Sequence, residues 1–192
     1  MNRLYSTLLL SLFICSNAYA EWQLKNIDSN VYYVSTKNNS VSELNYFNTL
    51  SGTLSEEGEL DIKINLESIE TDIPIRNERV KAMLFEVLLY PRATVTATIS
   101  PEKIKALKPG DTYIETVNFM LTLHGITQEL STTVKVIKHA DGDILVTPTT
   151  PILIGAKQFG LEKGIERLRK IARLESISPT VPVTFNLTFV PK

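Results

Sequence analysis

Hydrophobic and polar residues alternate along most of this 192-residue chain, which is the pattern of β-strands with one buried face. Antiparallel strands that are dry on one face and wet on the other give this period of two. The runs that alternate most clearly are 60–66, 95–99, 117–123 and 181–189, and weaker runs cover 31–35, 41–47, 130–137 and 144–147.

Turn signals separate several of these runs. His124-Gly125 lies between two of them, and Asp141-Gly142 lies between the next two. About eight strands joined by short turns predict a mainly β fold, either a sandwich or a closed antiparallel barrel. A barrel of roughly eight strands is either filled by side chains or holds one small ligand, and periodicity alone does not separate the two.

Two segments break the alternation. Residues 73–91 read IPIRNERVKAMLFEVLLYP, and they predict a helix from about Arg76 to Leu89 that stops before Pro91. Residues 160–175 predict a second helix with a narrow apolar stripe and a basic outer side. One or two short helices are therefore expected to cap the barrel or to pack on its outer wall. The apolar face of the first helix is expected to comprise Val80, Met83, Leu84, Val87 and Leu88, and that of the second Leu161, Ile165, Leu168 and Ala172.

The first twenty residues have the layout of a secretion signal. Arg3 precedes an apolar core, and Ala18-Tyr19-Ala20 is a small-x-small cleavage site. We expect a signal peptide at 1–20, cleavage after Ala20, and one domain at 21–192. Lipidation of Cys15 is the weaker alternative, because Ile14 stands where a small residue is expected.

Charge and residue types exclude several classes of chemistry. A net charge of −1 does not favour a nucleic-acid partner. With two histidines and no cysteine after Cys15, a zinc site is not expected, and no cofactor or glycine-rich phosphate loop is indicated. No catalytic constellation is evident, and His124 and Glu78 are the only starting points for one.

An ordered set of short motifs resembles the YceI-like family of exported, lipocalin-like polyisoprenoid-binding proteins. The resemblance covers roughly residues 21–192. The most specific part is the strand-His-Gly-strand hairpin that follows an arginine-rich segment and a Tyr-Pro pair. The motifs are LSGTL (50–54), LESIET (66–71), RNER (76–79), LFEV (84–87), YPRATV (90–95), LTLHGIT (121–127) and FGL (159–161).

The resemblance implies a lipocalin-like barrel that encloses a prenyl chain or an isoprenoid quinone in the periplasm. Where the family usually has Arg-Asp-x-His-Leu, this chain has Arg76-Asn77-Glu78-Arg79-Val80, and its usual Phe-Phe-Asp is Leu84-Phe85-Glu86. These departures concern the residues expected to contact the headgroup of a bound lipid. Arg76 and Arg79 are the candidates for that contact. The residues expected to line the cavity are Ile62, Ile64, Leu66, Phe85, Val95, Phe119, Leu121, Phe185 and Leu187.

Three functions are consistent with the sequence. The first is a carrier for an isoprenoid or other long-chain lipid, with no chemistry of its own and no stable membrane insertion. The second is a filled barrel that acts as a stress-response or interaction module. The third is an enzyme acting on a lipid-like substrate, which would need His124 or Glu78. The sequence also leaves a homodimer open.

Overall fold

The computed structural model describes residues 21–192, and the predicted signal peptide lies outside them. Within this range the helices are α1 (Pro74–Arg79), which continues as a π-helix at Val80–Phe85, α2 (Pro101–Ala106) and α3 (Glu162–Ile171). The strands are β1 (Glu21–Leu24), β2 (Asn30–Lys37), β3 (Val41–Phe47), β4 (Leu50–Ser55), β5 (Glu59–Asn65), β6 (Ile69–Glu70), β7 (Arg92–Thr98), β8 (Thr112–Leu123), β9 (Ile126–Lys138), β10 (Ile144–Pro148), β11 (Ile152–Gly155) and β12 (Thr180–Pro191).

These strands form an eight-stranded up-and-down antiparallel barrel. Four long strands are each interrupted once, so that β1 and β2, β3 and β4, β5 and β6, and β10 and β11 follow each other along one line of the wall. Each long strand pairs with the next in the chain, and β1 closes the ring on β12 through Trp22 and Pro191. The predicted mainly β, lipocalin-like barrel is confirmed.

The register places the apolar residue of each alternating pair on the inside. The β8–β9 hairpin pairs twelve residues of each strand, from Thr112 opposite Ile137 to Leu123 opposite Ile126. His124 and Gly125 form its turn with φ of 52° and 75°, the positive values that a type I′ turn requires. A hairpin that stays in register over this length keeps one face of both strands turned to the interior.

One end of the barrel carries two unpaired strand edges. Among the described residues, β6 pairs only with β3, and β11 pairs only with β12. The chain continues from β6 into residues 74–89, which we call the capping segment, and from β11 towards α3. The capping segment and α3 pack on each other, and together we call them the lid. The lid covers the end of the barrel where the edges of the sheet remain unpaired.

The first helix is shorter in the structure than the sequence predicts. The helix ends at Phe85, because Glu86 adopts a left-handed conformation with φ of 48°. Residues 86–90 then form a turn in which Leu89 N and Tyr90 N both donate to the carbonyl of Glu86. As a result Leu88 is exposed to solvent and does not belong to an apolar helix face.

Smaller differences concern single elements. Leu66 is buried as expected, but it begins a 3₁₀ turn after β5 and is not part of the strand. Helix α2 and the short strands β1, β6 and β11 are not predicted, because each is too short to show a period. In the second predicted helix Ala172 is exposed and follows the last helical residue, Ile171. No helix within residues 21–192 is long and apolar enough to span a bilayer.

Candidate functional site

The interior of the barrel contains a cavity of about 230 Å³. Its wall is formed by 32 residues, and all but Tyr33 and Thr132 lack a polar side-chain atom. An ordered buried water needs two to four polar partners, which this wall does not supply. The cavity is therefore suited to an apolar group.

The cavity is long compared with its volume. On β8 it is lined by every second residue from Val117 to Leu123, and on β12 by every second residue from Val181 to Phe189. At about 3.4 Å per residue, these stretches measure roughly 20 and 27 Å along the strands. A volume of about 230 Å³ spread over such a length is a narrow channel, which matches a chain better than a compact molecule.

All nine residues predicted to line a cavity lie on its wall. They come from four strands, the turn after β5 and the capping segment, and their contact with a ligand stays a prediction. Sequence reasoning missed Tyr33 and also Ile152 and Ile154, whose strand β11 is only four residues long. The nine are Ile62, Ile64, Leu66, Phe85, Val95, Phe119, Leu121, Phe185 and Leu187.

The lid closes one end of the cavity with side chains from both of its segments. Leu84 and Phe85 of the capping segment and Leu161 and Ile165 beside or within α3 all line the cavity. The two segments approach closely at Gly164, where a Cβ atom would lie 2.6 Å from the Met83 carbonyl oxygen. Only glycine allows this contact, and the contact holds α3 against the capping segment.

A cluster of three charged or polar side chains joins the lid to the barrel. Glu86 accepts hydrogen bonds from His124 Nε2 at 2.9 Å and from Arg167 Nη1 at 3.1 Å. The His124 ring also packs against Tyr90, with 4.4 Å between the ring centroids. Hydrogen bonds from His124, and then from Arg167, lower the pKa of Glu86. The cluster therefore connects the capping segment, the β8–β9 turn and α3.

Polar residues continue the inner face of β2 and β3 beyond the cavity wall. Along the paired strands, Val31 opposite Phe47 is followed by Tyr33 opposite Asn45. Asn45 is buried and donates to Ser35 Oγ at 3.0 Å. Burial raises the pKa of the Tyr33 hydroxyl, and the positive charge of Arg76 partly opposes that change. The cavity thus borders on polar groups at Tyr33.

Arg76 lies beside this polar border and not on the cavity wall. Its Nη1 donates to Glu43 and its Nη2 to the Thr71 carbonyl. Its buried Nε has no hydrogen-bond partner among the described residues. The interaction with Arg76 lowers the pKa of Glu43, mainly through the hydrogen bond. Arg76 is therefore held in place through Nη1 and Nη2, and its Nε remains without a partner among the described residues.

The other residues singled out from the sequence lie away from the cavity. Arg79 is half-buried, and no hydrogen bond or ion pair joins its side chain to another described residue. Glu78 is exposed and pairs with Lys81, while His124 is occupied by Glu86. No group of three or more metal-ligating side chains lies within residues 21–192.

The fold and the cavity define a class of protein, a closed antiparallel barrel with an apolar interior channel and a helical lid. Within that class the chain belongs to the YceI-like family, because its residues 22–189 match the YceI-like domain. The resemblance found in the sequence motifs is confirmed. A comparison with curated proteins finds no match to the chain.

Solved structures agree with this assignment. A polyisoprenoid-binding domain from Saccharophagus degradans, implicated in plant cell wall breakdown, is 36% identical with a TM-score of 0.87, and the match covers 89% of this chain and 98% of that one. BcnA of Burkholderia cenocepacia is 20% identical with a TM-score of 0.66, over 86% and 98% of the two chains. A YCEI protein of Campylobacter jejuni is 15% identical with a TM-score of 0.54, over 77% and 84%. The latter two show the fold alone.

Proposed function

We propose that this protein binds one long isoprenoid-type lipid in the barrel cavity and carries it through the periplasm. The observation that carries the proposal is the wall of the channel, in which 30 of 32 residues offer only apolar atoms. Burial of each methylene group contributes roughly 0.8 kcal/mol. A tail that fills the channel can therefore bind tightly without a dedicated polar site.

The size of the cavity favours a carrier over a filled barrel. If 230 Å³ stayed empty, the lost contacts would cost about 5.5 kcal/mol at roughly 24 cal/mol per Å³. That cost is comparable to the whole stability of many domains, about 5–15 kcal/mol. A bound chain restores these contacts, so occupancy and stability of the barrel are expected to rise together.

Two further observations support the class of ligand and the compartment. The Saccharophagus degradans relative is a polyisoprenoid-binding domain, and the likeness covers most of both chains. Residues 1–20 have the pattern of a cleaved secretion signal, which supports export of the chain to the periplasm. An isoprenoid is both long and branched with methyl groups, which suits a narrow channel lined by aliphatic and aromatic side chains.

The polar border supports a headgroup that accepts hydrogen bonds. The Arg76 Nε and the Tyr33 hydroxyl make no hydrogen bond to another described residue. Both are donors, and they suit the carbonyl of a quinone or the oxygen of a prenol. In this proposal Arg76 and Tyr33 contact the headgroup. Arg79 is a weaker candidate for this contact, because it lies away from the cavity.

The arrangement does not favour an enzyme. Tyr33 is the only ionisable residue on the cavity wall among residues 21–192, and burial raises its pKa. General acid–base catalysis needs a group within hydrogen-bond reach of the reacting atom and a pKa near the working pH. Neither His124 nor Glu78 lies on the wall. We therefore propose binding without turnover.

A pair of neighbouring substitutions on β8 tests the proposal. Phe119 lines the cavity, whereas Met120 is on the outer face and exposed. We expect Phe119→Arg to lose the lipid that co-purifies without detergent and Met120→Arg to keep it, as measured by mass spectrometry of a solvent extract. Circular dichroism checks that both variants are folded. A folded Phe119→Arg protein with the same lipid content as the parent would contradict the proposal.

A further inference from the structure

Two neighbouring leucines on the lid project into solvent. Leu88 is 94% exposed and Leu89 is 72% exposed, and only the buried Val87 separates them from Glu86 in the chain. Two backbone hydrogen bonds to the Glu86 carbonyl, 2.8 Å from Leu89 N and 3.0 Å from Tyr90 N, define the turn that presents them. Single exposed leucines are ordinary on protein surfaces. An adjoining pair on an ordered turn makes a contiguous apolar tip.

One side of α3 next to this tip is basic. Lys163, Arg167 and Lys170 are spaced four and three residues apart, so they share one face of the helix. All three are exposed. Arg167 donates to Glu86 at 3.1 Å, and Leu88 Cα lies at most about 7 Å from Glu86 Cα because only Val87 separates the two residues. The basic face and the leucine tip are therefore adjacent.

The acidic residues of α3 lie on the flank away from the capping segment. By the helical period, Glu162 and Glu166 are on the side opposite Gly164, which packs on the capping segment. Glu166 binds Arg169 through two hydrogen bonds and lies 3.4 Å from Lys170. Residues 162–173 hold five cationic and two acidic residues, a net of +3 in a chain whose net charge is −1. Positive charge is thus concentrated on the lid.

We propose that the Leu88-Leu89 tip and the basic face of α3 form a docking surface for an anionic lipid bilayer. The leucines would enter the boundary between headgroups and acyl chains, and the cationic side chains would contact anionic headgroups. Peripheral attachment of this kind needs both an apolar and an electrostatic contribution, and the lid supplies the two side by side. A protein partner would explain the exposed leucines, but it would not explain the excess of positive charge beside them.

Docking at this surface would place the lid of the cavity against the membrane. Exchange of a lipid between the bilayer and the channel could then occur without crossing bulk water. This consequence rests on the proposed carrier function, whereas the docking itself does not. The two can fail separately, because vesicle binding and lipid content are different measurements.

The test is flotation of the purified protein with vesicles of phosphatidylethanolamine, with and without phosphatidylglycerol. We expect binding to the anionic vesicles, and a loss of about tenfold or more when Leu88 and Leu89 are both changed to serine. Lys163→Gln with Lys170→Gln should weaken binding and reduce its sensitivity to salt. The control is Ile114→Ser, which removes an exposed residue roughly 30 Å along β8 from the turn at the lid.

Three outcomes would overturn the proposal. The first is a parent protein that floats with neither kind of vesicle. The second is a double leucine variant that binds as well as the parent. The third is self-association of the parent that the leucine substitutions abolish while vesicle binding is unchanged, which would assign the tip to a second copy of the chain. Unchanged lipid content in the leucine variant shows that the cavity is intact.

Discussion

Filling the cavity with a larger apolar side chain should stabilise the empty barrel and exclude its ligand. Ala97 lines the cavity on β7, opposite Phe119 on β8. The change Ala97→Phe adds a phenyl ring to a space of about 230 Å³. A cavity of about 150 Å³ is large enough for benzene, so the ring takes up a large share of the channel.

The carrier and the filled barrel predict opposite signs for this variant. In a hollow barrel the new ring is buried against an apolar wall, which stabilises the lipid-free protein by about 1–3 kcal/mol. In a barrel already filled by side chains, the same ring forces its neighbours out of position and destabilises the fold by about 1–3 kcal/mol. The sign of the change in unfolding free energy therefore separates the two functions.

The assay is denaturant unfolding of the delipidated protein together with mass spectrometry of the lipid that co-purifies. Thr96→Phe is the matched control, because Thr96 is the neighbouring residue and faces solvent. Its stability should change by less than about 0.5 kcal/mol and its lipid content should not change. A destabilised Ala97→Phe protein that still holds as much lipid as the parent would refute the reasoning.

Three further predictions concern the lid and the polar border. Gly164→Val should destabilise the protein by about 1–3 kcal/mol in thermal unfolding, since its Cβ would meet the Met83 carbonyl, and an unchanged midpoint would contradict that contact. Because the pKa of Glu86 is lowered, its stabilising interactions are present above about pH 4.3 and are lost as the pH falls through the lowered pKa. Glu86→Gln should therefore be less stable than the parent near neutral pH, with a gap in denaturant titrations that closes in acid, and a gap independent of pH would argue against the ion pairs. Tyr33→Phe should weaken binding of an isoprenoid quinone by about threefold to tenfold while leaving a hydrocarbon of similar length unaffected, and equal losses for both would exclude a headgroup contact.

The barrel and much of its cavity could be predicted from the sequence because both follow from local alternation. Every second residue is apolar from Val117 to Leu123 on β8 and from Val181 to Phe189 on β12, and a strand sends alternate side chains to the same face. Phe119 and Phe185 could therefore be assigned to the interior without knowledge of their neighbours. Alternation does not determine whether the interior is full, since that depends on the summed volume of side chains from all eight long strands.

The lid could be predicted less well because its structure depends on contacts between distant residues. The helical spacing continues through Leu88, but the helix ends at Phe85, because Glu86 has a positive φ, which this residue type rarely takes. Glu86 is held there by His124 and Arg167, which are 38 and 81 residues away in the chain. No local pattern shows such a partnership.

Arg76 illustrates the same limit at the polar border. Its place in a cluster of charges indicated a rim residue, but its main partner is Glu43, 33 residues earlier. Glu43 accepts from Nη1 and the Thr71 carbonyl from Nη2, so that Nε is the guanidinium nitrogen left without a partner among the described residues. The sequence could indicate the residue but not which of its atoms is available to a ligand.

The most direct test of the carrier proposal is the lipid content of the parent protein. The full precursor would be expressed so that export occurs, the mature protein would be purified without detergent, and a solvent extract would be examined by mass spectrometry. The proposal predicts one isoprenoid-type lipid per barrel. A protein that yields no lipid, and that takes up none when incubated with isoprenoid quinones and prenols, would contradict it.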